Sequence, residues 1–131
     1  MSKKTNSKTI LIVEDEKNIL EMYSFKFEEA GFKVLKALDG EVGLNLALTA
    51  QPDLILLDII LPKIDGFAVL AEIRANKNTK NTLVIMLTNL GQDEDKEKGV
   101  KYGAMDYIVK ANCTPTDVVK KVSAILRGKG H

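Results

Sequence analysis

The sequence predicts an α/β fold, a doubly wound parallel sheet with helices on both faces. Three observations carry this. Short β-rich apolar runs alternate with longer stretches of helical periodicity. The runs are apolar almost throughout, as strands covered on both faces of a parallel sheet are. The length, 131 residues, is that of one ordinary domain, enough for a core without disulfide or metal staples.

Thr9 to Val13 is the first strand, stopped abruptly by Glu14-Asp15-Glu16. Ile19, Tyr23, Phe27 and Ala30 then recur at helical spacing, and Gly31 stands where a helix C-cap belongs. Phe32 to Leu38 reads as the second strand, Val42 with Leu46 as the stripe of a second helix, and Asp53 to Leu57 as the third strand. Phe67, Leu70 and Ile73 mark a third helix, and Leu83 to Leu87 the fourth strand. A fourth helix over Gln92 to Tyr102 is nearly all polar through Lys98, so it buries little and is easily displaced. Gly103 follows as a C-cap, and Met105 to Val109 is the fifth strand. Thr114-Pro-Thr-Asp117 offers a capping box with proline at the first helical position. Val118, Val122 and Ile125, beside Val119 and Leu126, then supply the stripe of a fifth helix. Residues 1–8 read as a flexible tail, 9–127 as a single domain and 128–131 as a frayed end. The βαβ alternation implies right-handed crossovers.

Hydrophobic residues make up 45% and charged residues 28%, and 19 Lys+Arg nearly cancel 18 Asp+Glu. Only Arg74 and Arg127 are arginine, the residue favoured for bidentate phosphate and base contacts, so no direct nucleic-acid binding is expected. Cys113 is the single cysteine and forms no internal disulfide. The polar N-terminus lacks a signal-peptide core, and Asp58 interrupts the most apolar segment, Leu54 to Leu61. A cytoplasmic protein with no membrane contact is expected. Cys113 and His131 read as incidental.

Four strand ends carry a polar group on the same side: Glu14 and Asp15, Asp58, Thr88, and Lys110. Parallel strands bring these to one rim, where ligands of open α/β sheets collect. Taken singly, Asp15 or Glu16 also suits a helix first turn, Thr88 an ordinary strand end and Lys110 a solvated charge. Asp58 differs, because a carboxylate inside Ile55 to Leu61 costs several kcal/mol if buried alone. It requires a cation, which Lys110 and a metal held by the other carboxylates supply. Three clustered carboxylates without His or Cys suit a hard cation, Mg²⁺ with Mn²⁺ as substitute, rather than zinc. A carboxylate facing a metal and a lysine can attack phosphorus, with the Thr88 hydroxyl donating to a phosphoryl oxygen.

These residues lie in Ile10 to Glu16, Leu56 to Gly66, Val84 to Thr88 and Gly103 to Lys110. With them the chain resembles a receiver domain of two-component response regulators, the phosphoacceptor module related to stand-alone chemotaxis regulators. The resemblance covers Lys8 to about Arg127. It implies a flavodoxin-like sheet of strand order 2-1-3-4-5. It implies that Asp58 is the phosphorylated residue, and that Glu14 and Asp15 are the acidic pair, Asp15 ligating Mg²⁺ beside Asp58 and the Ile60 carbonyl. Thr88 then matches the switch hydroxyl, Lys110 the lysine that pairs with the phosphoryl group, and Tyr107 the aromatic that moves inward with Thr88. The implied partners are a sensor histidine kinase or phosphotransfer protein and a downstream protein target. The output face comprises the fourth helix, fifth strand and fifth helix, on a monomer or a phosphorylation-dependent dimer.

The chain departs from the family pattern at Glu14, where Asp is commoner and whose longer arm implies contact with the metal through water. Ala111 follows Lys110 in place of proline, and Asn89 follows Thr88 in place of a smaller residue. In the family the residues two places beyond the phosphorylated aspartate and the switch hydroxyl flank the water's approach; here they are Ile60 and Leu90, which cannot hydrogen-bond it, so the resemblance implies slow self-dephosphorylation. The phosphoryl group is expected from a partner or a small phosphodonor, since no G-x-x-x-x-G-K-[ST] loop is present. The expected function is therefore a phosphoacceptor switch, not an enzyme beyond its own phosphorylation and slow dephosphorylation. A phosphorylation-independent adaptor is the alternative. An aspartyl-nucleophile phosphatase is disfavoured by Ile60, which stands where a second carboxylate would be needed. No output domain follows the last helix, so a single-domain regulator or an excised receiver is expected, the tail at Met1 favouring the first.

Overall fold

A computed structural model of the chain describes residues 8–88, 97 and 101–129. Five parallel strands lie in the order β2-β1-β3-β4-β5. They are β1 (Thr9–Val13), β2 (Lys33–Ala37), β3 (Leu54–Leu57), β4 (Leu83–Thr88) and β5 (Asp106–Val109). The helices among the described residues are α1 (Lys17–Glu29), α2 (Gly40–Ala50), α3 (Gly66–Ala75) and, closing the chain, α4 (Pro115–Lys129), with a 3₁₀ turn at Lys110–Asn112. The helix expected over 92–102 lies outside the described residues except at 97, 101 and 102, as do Asn89, Leu90 and the tail before Lys8. The last helix continues through Lys129, past Gly128 where the sequence reading placed a frayed end.

β1, β3 and β4 are the central strands, and their apolar residues alternate between two cores. Ile12, Leu56, Ile85, Leu87 and Ile108 pack with Tyr23 and Phe27 of α1 and Val118 and Val122 of α4. Leu11, Ile55, Leu57 and Val84 pack with Ala47 of α2 and Val69, Leu70 and Ile73 of α3. β2 is an edge strand, and Lys33 and Lys36 are exposed along it, which discourages pairing with another chain.

Of the expected stripe of α2, Leu46 packs half-buried against the core but Val42 is exposed, and the fully buried positions are Gly40, Gly43 and Ala47. The reason is close approach, because a side chain on Gly43 would meet Val13 at 2.8 Å and one on Gly40 would meet the Ile64 carbonyl at 1.9 Å. α4 begins on the expected capping box: the Asp117 N–H donates to Thr114 Oγ1 at 3.0 Å, and the Thr114 N–H donates to Asp117 Oδ2 at 3.1 Å. Gly31 and Gly103 both take φ of 99°, the left-handed conformation that ends a helical segment and favours glycine.

Arg74 at the end of α3 fixes the entry to β5. Its Nε and Nη2 donate to the Gly103 carbonyl at 3.1 and 2.8 Å, and its Nη1 donates to the Lys80 carbonyl at 3.0 Å. At the start of α3, a side chain on Gly66 would lie 2.1 Å from the Asp58 carbonyl oxygen. Gly66→Ala is therefore expected to destabilise the protein by about 1–3 kcal/mol. Gly128→Ala, with open space around it near the end of α4, should be neutral or stabilising; thermal melts of the two variants check the contrast.

Candidate functional site

Strand register brings the rim residues together. Val13 pairs with Leu57, so the residues that follow, Glu14 and Asp58, are neighbours. Thr88 pairs with Val109, so Lys110 begins just beyond the Thr88 level. The backbone continues this pairing past the strands: the Asp58 N–H donates to the Val13 carbonyl at 3.1 Å, and the Glu14 N–H donates to the Ala37 carbonyl at 3.0 Å.

Glu14, Asp58 and Thr88 are buried, whereas Asp15 is exposed. Lys110 Nζ donates to Asp58 Oδ2 at 3.2 Å and also to Glu14 Oε1. The second oxygen of Glu14 accepts from the Glu16 N–H at 3.0 Å. Glu16, the residue before α1, makes no side-chain cap, so neither acid at this helix start acts as a simple N-cap. Glu14, Asp15 and Asp58 each offer a carboxylate oxygen, all within 4.8 Å of one another. An octahedral cation with oxygens at about 2.1 Å spans about 4.2 Å between opposite ligands, so a small closure or one bridging water suits Mg²⁺ or Mn²⁺.

Electrostatics follow from this packing. Burial pushes the Asp58 carboxyl up to about 6, Lys110 pulls it down and Glu14 raises it further. Burial alone would lower Lys110, but hydrogen bonds and charge from Glu14 and Asp58 outweigh it and leave the ammonium above its ordinary range. The phenol of Tyr23 is raised chiefly by burial, with smaller influences from Lys110, Glu14, Cys113 and Asp58. Helical spacing predicts Tyr23 on a buried stripe but does not reveal that α1 brings it beside the site. Nor does it anticipate the direct Glu14–Lys110 contact, since spacing along the chain does not reveal how far a side chain reaches.

Ile60 stands at the rim, 62% exposed, in the loop after β3. Tyr107 on β5 pairs in register with Met86 and packs, half-buried, against the core on the α2 and α3 face. The structure thus brings Glu14, Asp15, Asp58 and Lys110 into one cluster, with Thr88 at the end of the adjoining strand. The described residues contain no cis peptide bond, the Lys110–Ala111 bond included.

A family model for the response regulator receiver domain matches residues 10–123. The chain is 45% identical over 121 residues to the DNA-binding dual master transcriptional regulator RpaA of Synechocystis, covering 90% of this chain and 48% of that protein. It is 40% identical over 121 residues to the alkaline phosphatase synthesis transcriptional regulatory protein PhoP of Bacillus subtilis, covering 92% and 49%. The chain thus spans about half the length of these curated relatives. Among solved structures, the chemotaxis response regulator CheY4 of Vibrio cholerae superposes with a TM-score of 0.85 at 30% identity, covering 92% of this chain and 99% of that one. The BeF3-activated DrrB receiver domain, from Thermotoga maritima, gives 0.81 at 33% identity, covering 92% and 98%.

The raised Asp58 carboxyl makes a pH-dependent prediction. The folded protein binds the Asp58 proton more tightly than the unfolded chain, so stability falls as pH rises from about 4 to about 6. A shift of about two pKa units corresponds to about 3 kcal/mol. In metal-free solution Asp58→Asn should therefore be more stable than wild type by about 2–3 kcal/mol above pH 7, with the difference vanishing near pH 4; urea unfolding at the two pH values measures it.

Proposed function

We infer the function from one premise, that this chain belongs to the response regulator receiver domain family, whose members are signalling switches engaged by histidine kinases or phosphotransfer proteins. The reading is that Asp58 accepts a phosphoryl group. The observation that carries it is the meeting of Asp58 with the Lys110 ammonium at 3.2 Å, in a pocket shared with two further carboxylates. An oxygen of Asp58 attacks phosphorus, the bond to the donor's imidazole nitrogen or acyl oxygen breaks, and an acyl phosphate forms. Lys110 neutralises charge on the transferring oxygens, and the Thr88 hydroxyl donates to one of them.

Asp15 and Asp58, with the Ile60 carbonyl, would hold Mg²⁺ directly, and the Glu14 carboxylate would face it through water. The cation supplies positive charge against the oxygens of the phosphoryl group. The all-oxygen donor set and its spacing support this fit. The proposed cargo arrives from a histidine kinase or phosphotransfer protein. Its charge of about −1.5 to −2 draws Thr88 and admits Tyr107 inward. The output is read by a protein target on the surface of the 92–102 segment, β5 and α4, by a monomer or a dimer that forms on phosphorylation. We assign no nucleic-acid or membrane contact to this domain. Its charges balance, and no described helix is long and apolar enough to cross a membrane. The BeF3-activated relative supports the use of BeF₃⁻ as a phosphoryl stand-in.

Intact-mass measurement after acetyl phosphate and Mg²⁺ should give a single phosphoryl adduct that is absent in Asp58→Asn and without added metal. A wild-type protein that gains no adduct would favour the adaptor alternative. The apolar side chain of Ile60 at the rim supports slow loss of the adduct, and Ile60→Asn/Leu90→Glu is expected to shorten its lifetime several-fold, followed by the same mass assay.

A further inference from the structure

Tyr23 is a buried polar residue that the chemistry at Asp58 leaves unused. It lies on α1, 2% exposed, in the core that also holds Ile12, Leu56 and Ile108. Two residues further along the chain from those three stand Glu14, Asp58 and Lys110, so the ring packs under the side of the rim that carries the charged cluster. α1 starts at the rim with Lys17, and helical side chains tilt toward the helix N-terminus, which directs the Tyr23 ring back toward that cluster. The charges around the phenol give the same bearing. Beyond the effect of burial, Lys110 acts on it most strongly and Glu14 next, with Cys113 and Asp58 after them.

Two hydrogen-bonding groups are left over on this side. The Tyr23 hydroxyl has no hydrogen-bond partner among the described residues, and no described side-chain polar atom that is shut off from solvent lacks one. Its oxygen therefore opens onto space that a water can enter. Lys110 has three N–H donors and uses two, on Glu14 and Asp58, with only 8% of its side chain exposed. A buried phenol ordinarily finds a partner for its O–H, and a water that bridges two such groups binds them nearly as well as a direct hydrogen bond.

Resting on the phosphoacceptor reading of Asp58, we propose that Tyr23 is a positioning residue for that site, its hydroxyl holding one ordered water against the third N–H of Lys110. The water accepts from the ammonium and donates to the Tyr23 oxygen. This contact comes from the core side of the cluster and restricts rotation of the ammonium, so that its charge is aimed where the transferring oxygens arrive.

The test uses Tyr23→Phe, which keeps the ring and removes only the oxygen, in two backgrounds. Initial rates of adduct formation with acetyl phosphate and Mg²⁺, read by intact mass, should fall about fivefold in Tyr23→Phe and less than about twofold when the change is made in Lys110→Arg, whose planar fork does not reproduce the ammonium's donor. Thermal melts should leave Tyr23→Phe as stable as wild type. An unchanged rate, an equal fall in both backgrounds, or a fall accompanied by lost stability overturns the proposal.

A second measurement needs neither metal nor phosphoryl group. In metal-free wild type the Tyr23 hydroxyl proton should give an exchange-protected NMR signal with a cross-peak to bound water, assigned by its loss in Tyr23→Phe. Lys110→Met should abolish that signal while its dispersed backbone amide spectrum confirms the fold. Absence of the signal in wild type, or its persistence in Lys110→Met, overturns the proposal. Wild type that gains no phosphoryl adduct sinks the phosphoacceptor reading, whereas the hydroxyl signal reports on the contact between Tyr23 and Lys110 by itself.

Discussion

A single buried ammonium set among carboxylates is the interaction on which this molecule's chemistry depends. Lys110 Nζ reaches Glu14 and Asp58 at once, and Asp15 waits at the surface beside them. The cluster is still negative, since one cation faces three acids. Burial raises the Asp58 carboxyl, with Glu14 adding to it against the pull of Lys110, and the excess of negative charge suits the pocket to a divalent cation. A fully neutral cluster would be the more stable and the less reactive arrangement.

The sheet makes such a cluster affordable by geometry. Glu14, Asp58 and Lys110 each come two residues after a side chain of the α1 and α4 core, namely Ile12, Leu56 and Ile108. Alternation along a strand repeats every second residue, so register alone sends these three toward one side of the rim. Thr88 and Tyr107 have the opposite parity, following Met86 and preceding nothing but the short end of β5. Charge chemistry and the proposed switch pair thus occupy different faces of one edge. The loop after β3, which follows Asp58, is tied to its neighbours. Lys63 adopts φ of 72°, the Gly40 N–H donates to the Pro62 carbonyl at 3.3 Å, and the Gly66 N–H donates to the Ile59 carbonyl at 2.7 Å. These contacts pin the segment that carries Ile60 between the first turns of α2 and α3.

Much of this was legible from residues alone. Unbroken apolar runs ending in charge announced parallel strands and a functional rim, and the capping box at Thr114 announced its helix. What was not legible depended on distance in space. The buried face of α2 was legible only through Leu46, because glycines carry no hydropathy signal, yet here Gly43 and Gly40 permit close packing against Val13 and Ile64. The role of Arg74 as a bridge to Gly103 joins residues 29 positions apart in the chain, and nothing in a local pattern reveals it. Strand order came from the family resemblance, since alternation of strands and helices does not by itself choose among doubly wound sheets.

The same geometry explains how a change at Asp58 can reach the far side of the sheet edge without unfolding anything. Asp58 follows Leu57, which pairs with Met86, and Met86 pairs in turn with Tyr107. On the proposed reading, a phosphoryl group on Asp58 is drawn to Lys110 on one face and to the Thr88 hydroxyl at the end of the next strand. Thr88 lies two residues beyond Met86, on the parity of Tyr107, so on that reading its proposed rotation toward phosphate would act on the face where Tyr107 is half-buried. Arg74 holds the turn at Gly103 that leads into β5, so the backbone entering the strand stays fixed while the ring moves. On the proposed reading the displacement would fall on a half-buried side chain rather than on the central strands, whose buried residues would resist it.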